Sequence, residues 1–104
     1  MQRVEVNSKN FDATVREGKT FLYFTADFSP FALRMKPIWE QFLKAAEGYD
    51  VKVAYIYVTN DIALGQRLNI KELPTMLVYR DGMKVDECPG IVPLLRYENM
   101  LKFF

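Results

Sequence analysis

The sequence predicts an α/β fold: a single domain over residues 1–104, with a mixed central sheet and helices on both faces. Three observations predict it. Runs rich in β-branched and aromatic residues, at 20–25, 51–58 and 75–79, have the length of strands. Other segments carry apolar residues at three- and four-residue intervals, the period of a helix with one buried face. The resulting order, β-α-β-α-β-α-β-β-α, alternates strand and helix and closes on a hairpin, which implies both parallel and antiparallel pairs. With 104 residues, half of them apolar, the chain can fill one ordinary core and not two. It contains no linker, repeat or low-complexity segment.

Residues 4–6, Val-Glu-Val, read as a short first strand. Ser8 is placed to cap a helix over 10–17, with Phe11, Ala13, Thr14 and Val15 facing inward and Gly18 as its left-handed stop. The run TFLYFT at 20–25 is apolar on both alternations and predicts a central strand buried on both faces. From 31 to 47 the residues Met35, Ile38, Trp39, Phe42, Leu43 and Ala46 form one helical stripe, ended by Gly48. Pro37 within it removes a backbone donor and predicts a bend near 33–37. A strand over 51–58 and a short helix over 62–68 follow. Strands at 75–79 and 84–88 flank the turn Arg80-Asp81-Gly82 as a hairpin. Pro89-Gly90 ends it. A last helix over 92–104 turns Leu94, Leu95, Tyr97, Leu101 and Phe104 inward, with Pro93 in its first turn.

Charge and composition exclude several function classes. Fourteen basic and 13 acidic side chains leave a net charge of +1 with the signs interspersed, so neither nucleic acid nor membrane is expected as a partner. No apolar run approaches the roughly 20 residues that span a bilayer, and the start carries no signal-peptide core. Histidine is absent, which removes the usual neutral-pH base and the commonest metal ligand; no metal site and no cofactor are expected. The single cysteine, Cys88, permits no intramolecular disulfide.

Seven fragments recur together: Asn10-Phe11-Asp12, Gly18-Lys19, Pro37-Ile38-Trp39-Glu40, Leu73-Pro74-Thr75, Tyr79-Arg80-Asp81-Gly82, Val85-Asp86-Glu87 and Gly90. In that order and near-ungapped spacing, the chain resembles the thioredoxin fold, and in detail the catalytic-type domains of protein disulfide isomerases. The resemblance spans nearly the whole chain. Ala26, Phe28 and Pro37 fall on the family pattern A-x-W-C-x-x-C-x-x-x-x-P, which puts Ser29 and Ala32 at the two cysteine positions. The family's first cysteine is a thiolate activated at a helix N-terminus. A serine hydroxyl is scarcely ionised and forms no disulfide. By the same resemblance, a buried glutamate and an accompanying lysine that move protons fall on Tyr23 and Tyr55, and an arginine that tunes the thiolate falls on Ile91. The expectation is a non-catalytic, chaperone-like domain and not an enzyme, with S-P-F-A in place of C-x-x-C.

Each residue also has a plain structural role open to it. Ser29 is an ordinary helix cap; as a nucleophile it lacks a histidine, and Lys36 lies two turns further on. The resemblance implies a cis bond before Pro74, which exposes the Leu73 backbone to an extended peptide. Phe28, Pro30, Phe31 and Leu33 crowd the rim of the turn, with Ile91 and Val92 alongside; the alternative is that Phe31 and Leu33 fold inward. Trp39 belongs to the core stripe, and Tyr23 and Tyr55 pack side by side. Cys88 is a small buried residue or, alternatively, a reactive thiol able to pair with another chain.

The function expected is binding of unfolded or extended polypeptide, or of a specific partner protein, by a monomer. The site is the turn Phe28, Ser29, Pro30, Phe31 and Ala32 with Leu73, Pro74, Thr75 and Ile91. Two other readings stay open: a domain of a larger disulfide isomerase or oxidoreductase whose chemistry comes from Cys88 or from other domains, and a spacer that binds nothing at the turn. The resemblance suggests the endoplasmic reticulum lumen; the cytoplasm is the alternative.

Overall fold

A computed structural model of the protein describes residues 1–103. Its first strand, β1 (Gln2–Arg3), pairs in parallel with Lys52 and Val53. Residues 4–6, expected as that strand, instead leave the sheet edge. Val4 N–H makes the last rung, to Val53 O at 3.0 Å, and Val6 then turns into the core beside Phe11. Helix α1 (Phe11–Val15) is shorter than the expected 10–17, and its cap position is Asn10, not Ser8. Ser8 is held elsewhere: its N–H and hydroxyl both donate to the Asp61 carboxylate, at 2.6 and 2.7 Å. Phe11 and Val15 are buried while Ala13 is exposed, because five helical residues present only one i, i+4 pair to the sheet.

Strand β2 (Lys19–Thr25) is buried at all seven positions, as a strand covered on both faces must be. Helix α2 (Pro30–Ala46) follows and runs unbroken through Pro37, burying Met35, Trp39, Phe42 and Ala46. Strand β3 (Lys52–Tyr57) stops one residue short of the expected range at each end, since Val58 opens a single 3-10 turn at Val58–Asn60. Helix α3 (Ile62–Arg67) is capped by Asp61, whose side chain accepts the Leu64 N–H at 3.0 Å. Strands β4 (Thr75–Arg80) and β5 (Met83–Pro89) form the hairpin. Helix α4 (Leu94–Lys102) is narrower than expected: Pro93 is extended and precedes the helix rather than entering its first turn. Phe104 lies outside the described residues. Leu95 is exposed; Tyr97, Met100 and Leu101 form the buried stripe.

The sheet order is β1-β3-β2-β4-β5, with β2 parallel to β3 and antiparallel to β4. Alternate β2 side chains separate two cores. Phe21 and Tyr23 meet Met35, Trp39 and Phe42 of α2 and Tyr97 and Met100 of α4. Leu22 and Phe24 meet Phe11 and Val15 of α1 and Leu64 of α3. The hairpin turn needs left-handed backbone at both central residues, Asp81 (φ 49°) and Gly82 (φ 89°), the chemistry an Asp-Gly pair supplies. Its tip is tied to the α1–β2 turn: Asp81 N–H donates to Gly18 O at 2.9 Å, and Gly18 N–H returns a bond to Asp81 Oδ1 at 2.7 Å. At the other end of the sheet, β2 delivers the chain to the turn before α2.

Candidate functional site

Thr25 and Ala26 are the last buried residues of that approach, after which Asp27 and Phe28 swing out to solvent. Ser29 then starts the helix. Its backbone is extended (φ −84°, ψ 120°), its Oγ accepts the Ala32 N–H at 3.2 Å, and its carbonyl accepts the Leu33 N–H at 3.1 Å. Pro30 opens the first helical turn, where its missing N–H has no intrahelical partner to lose. The geometry is that of a serine N-cap.

The facing wall is the loop before β4. The Leu73–Pro74 peptide is cis, as the resemblance implied. Pro74 and Thr75 are buried, and Thr75 Oγ1 donates to Glu72 O at 2.7 Å. Gly90 N–H donates to Pro74 O at 2.7 Å, which ties the end of β5 to this loop. Gly90 itself has φ +77°, and a Cβ placed on it would lie 3.1 Å from Glu72 Oε1. Backbone conformation and close approach both call for glycine there.

Between the two walls lies an open groove of about 720 Å³. It brings together six of the residues singled out from sequence: Phe28, Ser29, Pro30, Phe31, Leu73 and Ile91. Its apolar rim is solvent-exposed, Phe28 at 71%, Phe31 at 55% and Ile91 at 47%. Phe31 and Leu33 do not fold inward. Ala32 takes the inward direction of α2, in line with Met35 and Trp39, and its two neighbours point about 100° to either side of it. Four lining residues were not anticipated: Lys71, Glu72, Pro89 and Gly90. Pro89-Gly90 signals a strand break in the sequence, and only the bond to Pro74 makes it a wall.

Ala32, Pro74 and Thr75 lie behind the groove rather than in its lining. Tyr23 and Tyr55 sit apart from it. They occupy paired positions of β2 and β3 and pack side by side, with ring centroids 5.6 Å apart. Tyr23 is buried and stacks on Trp39 at 4.0 Å; Tyr55 is 39% exposed. Burial pushes the Tyr55 hydroxyl up to about 12, with Tyr57 adding to the shift, and pushes Tyr23 well above the ordinary phenol range. Both stay neutral at physiological pH. Cys88 is buried on β5 opposite Met76, and burial raises its thiol above the ordinary range, which keeps it protonated. Among the described residues, no three His, Cys, Asp or Glu side chains converge as a metal site, and no helix is long and apolar enough to cross a membrane.

A mixed five-stranded sheet, with a helix-capping turn facing a cis-proline loop at the end of its central strand, defines a thioredoxin-type domain. The thioredoxin family model matches residues 2–102, and the chain belongs to that family. A thioredoxin domain-containing protein of Theileria parva is 34% identical over 85 residues, covering 76% of this chain and 38% of its own length. This chain thus spans little more than a third of that relative. A thioredoxin of Coprinus comatus is 28% identical over 94 residues, 89% of each chain. A solved mutant thioredoxin from Halobacterium salinarum NRC-1 superposes with a TM-score of 0.80 at 22% identity, covering 97% of this chain and 88% of that one, a likeness of fold.

The comparisons correct one expectation. The chain was expected not to be an enzyme, yet the family and full-length relatives such as the Coprinus protein carry the name of thioredoxins, which are oxidoreductases. An oxygen at Ser29 and a methyl at Ala32 rule out disulfide exchange by those two atoms, which is one mechanism and not catalysis as a class.

Proposed function

We propose that this domain holds extended polypeptide in the groove between residues 28–31 and the cis-proline loop, as the substrate-binding part of a protein disulfide isomerase-like oxidoreductase system. The observation that carries the reading is the exposed apolar rim of Phe28, Phe31 and Ile91 around a groove whose far wall is the Leu73–Pro74 cis peptide. Aromatic and aliphatic side chains kept in water beside a concave surface favour a ligand that covers them. A strand-like segment pairs its backbone with Leu73 and sets alternate side chains in the groove. Every wall comes from one chain, so a single copy suffices. Ser29 and Ala32 stand where the disulfide isomerase pattern has thiols, and Cys88 is buried and protonated. The exchanging thiols therefore come from another domain or protein, while this groove positions the chain they act on.

Backbone NMR with a reduced, unstructured model polypeptide tests it. Titration is expected to shift the resonances of residues 28–32, 73–75 and 90–91 together, with one saturation curve. Shifts confined to residues remote from Pro74 would overturn the proposal.

A further inference from the structure

An aromatic column that the groove does not use links the interior to the surface. Tyr97 lies edge-on to Tyr23 with centroids 6.2 Å apart, and Tyr23 stacks on Trp39 at 4.0 Å. Tyr23 and Trp39 each lie 5.6 Å from Tyr55, which meets Tyr57 at 5.1 Å. Tyr97 and Tyr23 are closed to solvent, Trp39 nearly so, and Tyr55 is open. The same core contains the oxidisable sulfurs of Cys88, Met35, Met76 and Met100.

Rings in contact exchange electrons readily, so an electron vacancy settles where the oxidised ring is most stable. For a phenol, that is where the hydroxyl can release its proton as the electron leaves. The hydroxyls of Tyr23 and Tyr97 are buried beside one another, and neither phenol is a base able to take the other's proton. Tyr55 has water.

We propose that the column Tyr97, Tyr23, Trp39, Tyr55 and Tyr57 conducts one-electron oxidising equivalents out of the sulfur-bearing core to the solvent-facing phenols. A one-electron oxidant, such as an azide-type radical, takes an electron from Trp39 and becomes its anion. An electron then passes from Tyr55 to the indole radical cation and restores the indole. The Tyr55 hydroxyl proton goes to water, leaving a neutral phenoxyl radical at the surface. One electron and one proton leave Tyr55 for each oxidant consumed.

The single tryptophan gives one indolyl signal to follow, and Tyr49 is the internal control for direct oxidation of an exposed phenol. Tyr49 is 37% exposed, close to the 39% of Tyr55, but among the described residues it joins no ring contact. The test generates azide radicals in a pulse, follows indolyl and phenoxyl absorption, and locates the radical by spin trapping and peptide mass spectrometry. The phenoxyl signal is expected to grow as the indolyl signal decays, with the trap on Tyr55 and Tyr57 in excess over Tyr49. Tyr55→Phe, which keeps the ring, is expected to diminish that growth, leaving Tyr57 as the remaining end point, and to shift damage to Trp39 and the core sulfurs. Equal labelling of Tyr49 and Tyr55 in the unmodified protein, or undiminished phenoxyl growth in Tyr55→Phe, would overturn the proposal. The first of these comparisons needs no variant.

Discussion

Ser29 accepts the Ala32 N–H, one of the donors that the first turn of any helix leaves without a partner. Replacing it by alanine leaves that N–H in a site only 7% exposed. Ser29→Ala is expected to lower stability by about 1 kcal/mol, read as a lower urea midpoint with unchanged slope. An unchanged midpoint would show that the cap contributes nothing. The residues of this turn were legible in the sequence because serine before proline at a helix start is local chemistry. Glu72 and Gly90 were not. Their place in the groove depends on a bond from Gly90 to Pro74, 16 residues earlier in the chain, and no short-range pattern encodes that pairing.

Elements show the same division. The apolar stripe of α2 and the doubly buried β2 were readable because periodicity reports burial directly, whereas end positions were set by partners far along the chain. Ser8 looked like a cap until Asp61 claimed it, and β1 shifted to Gln2–Arg3 because Val6 had a better place in the core. A further long-range pair joins β5 to α4: both Arg96 terminal nitrogens donate to the Asp86 carboxylate, at 2.9 and 3.0 Å. Arg96 holds the Asp86 carboxyl below its ordinary value, against an opposing effect of burial. The sign follows from linkage. The unfolded state takes up this proton first as pH falls, so the contribution is intact above the ordinary carboxylate range of about 3.9 and is lost as pH falls through the folded-state value. Asp86→Asn is expected to flatten the acid limb of a stability-against-pH profile while costing stability at neutral pH. An acid limb of unchanged slope would contradict the assignment.

For the molecule as a whole, the sheet order puts the end of β2 and the start of β4 next to each other, and the site is built where they meet. Because β2 is buried on both faces, its turn is a fixed platform. The groove is thus a property of the fold, and its chemistry belongs to the few residues on its rim. The fold was legible in the sequence, since it rests on spacing, and so was the meeting of residues 28–31 with Leu73 and Ile91 around one groove. The family was legible too; the expectation that the chain is not an enzyme was overturned, because two missing sulfur atoms exclude one mechanism at one turn and not catalysis as a class.

The central claim, that polypeptide docks on the aromatic rim, is tested most directly by calorimetric affinity for a reduced, unstructured polypeptide. The comparison sets the unmodified chain beside Phe28→Ser/Phe31→Ser and beside Leu95→Ser, a change at an equally exposed apolar residue outside the groove lining. The rim variant is expected to weaken binding by about tenfold or more, on the order of 1.4 kcal/mol, with Leu95→Ser unchanged. Equal affinity in all three proteins would contradict the account.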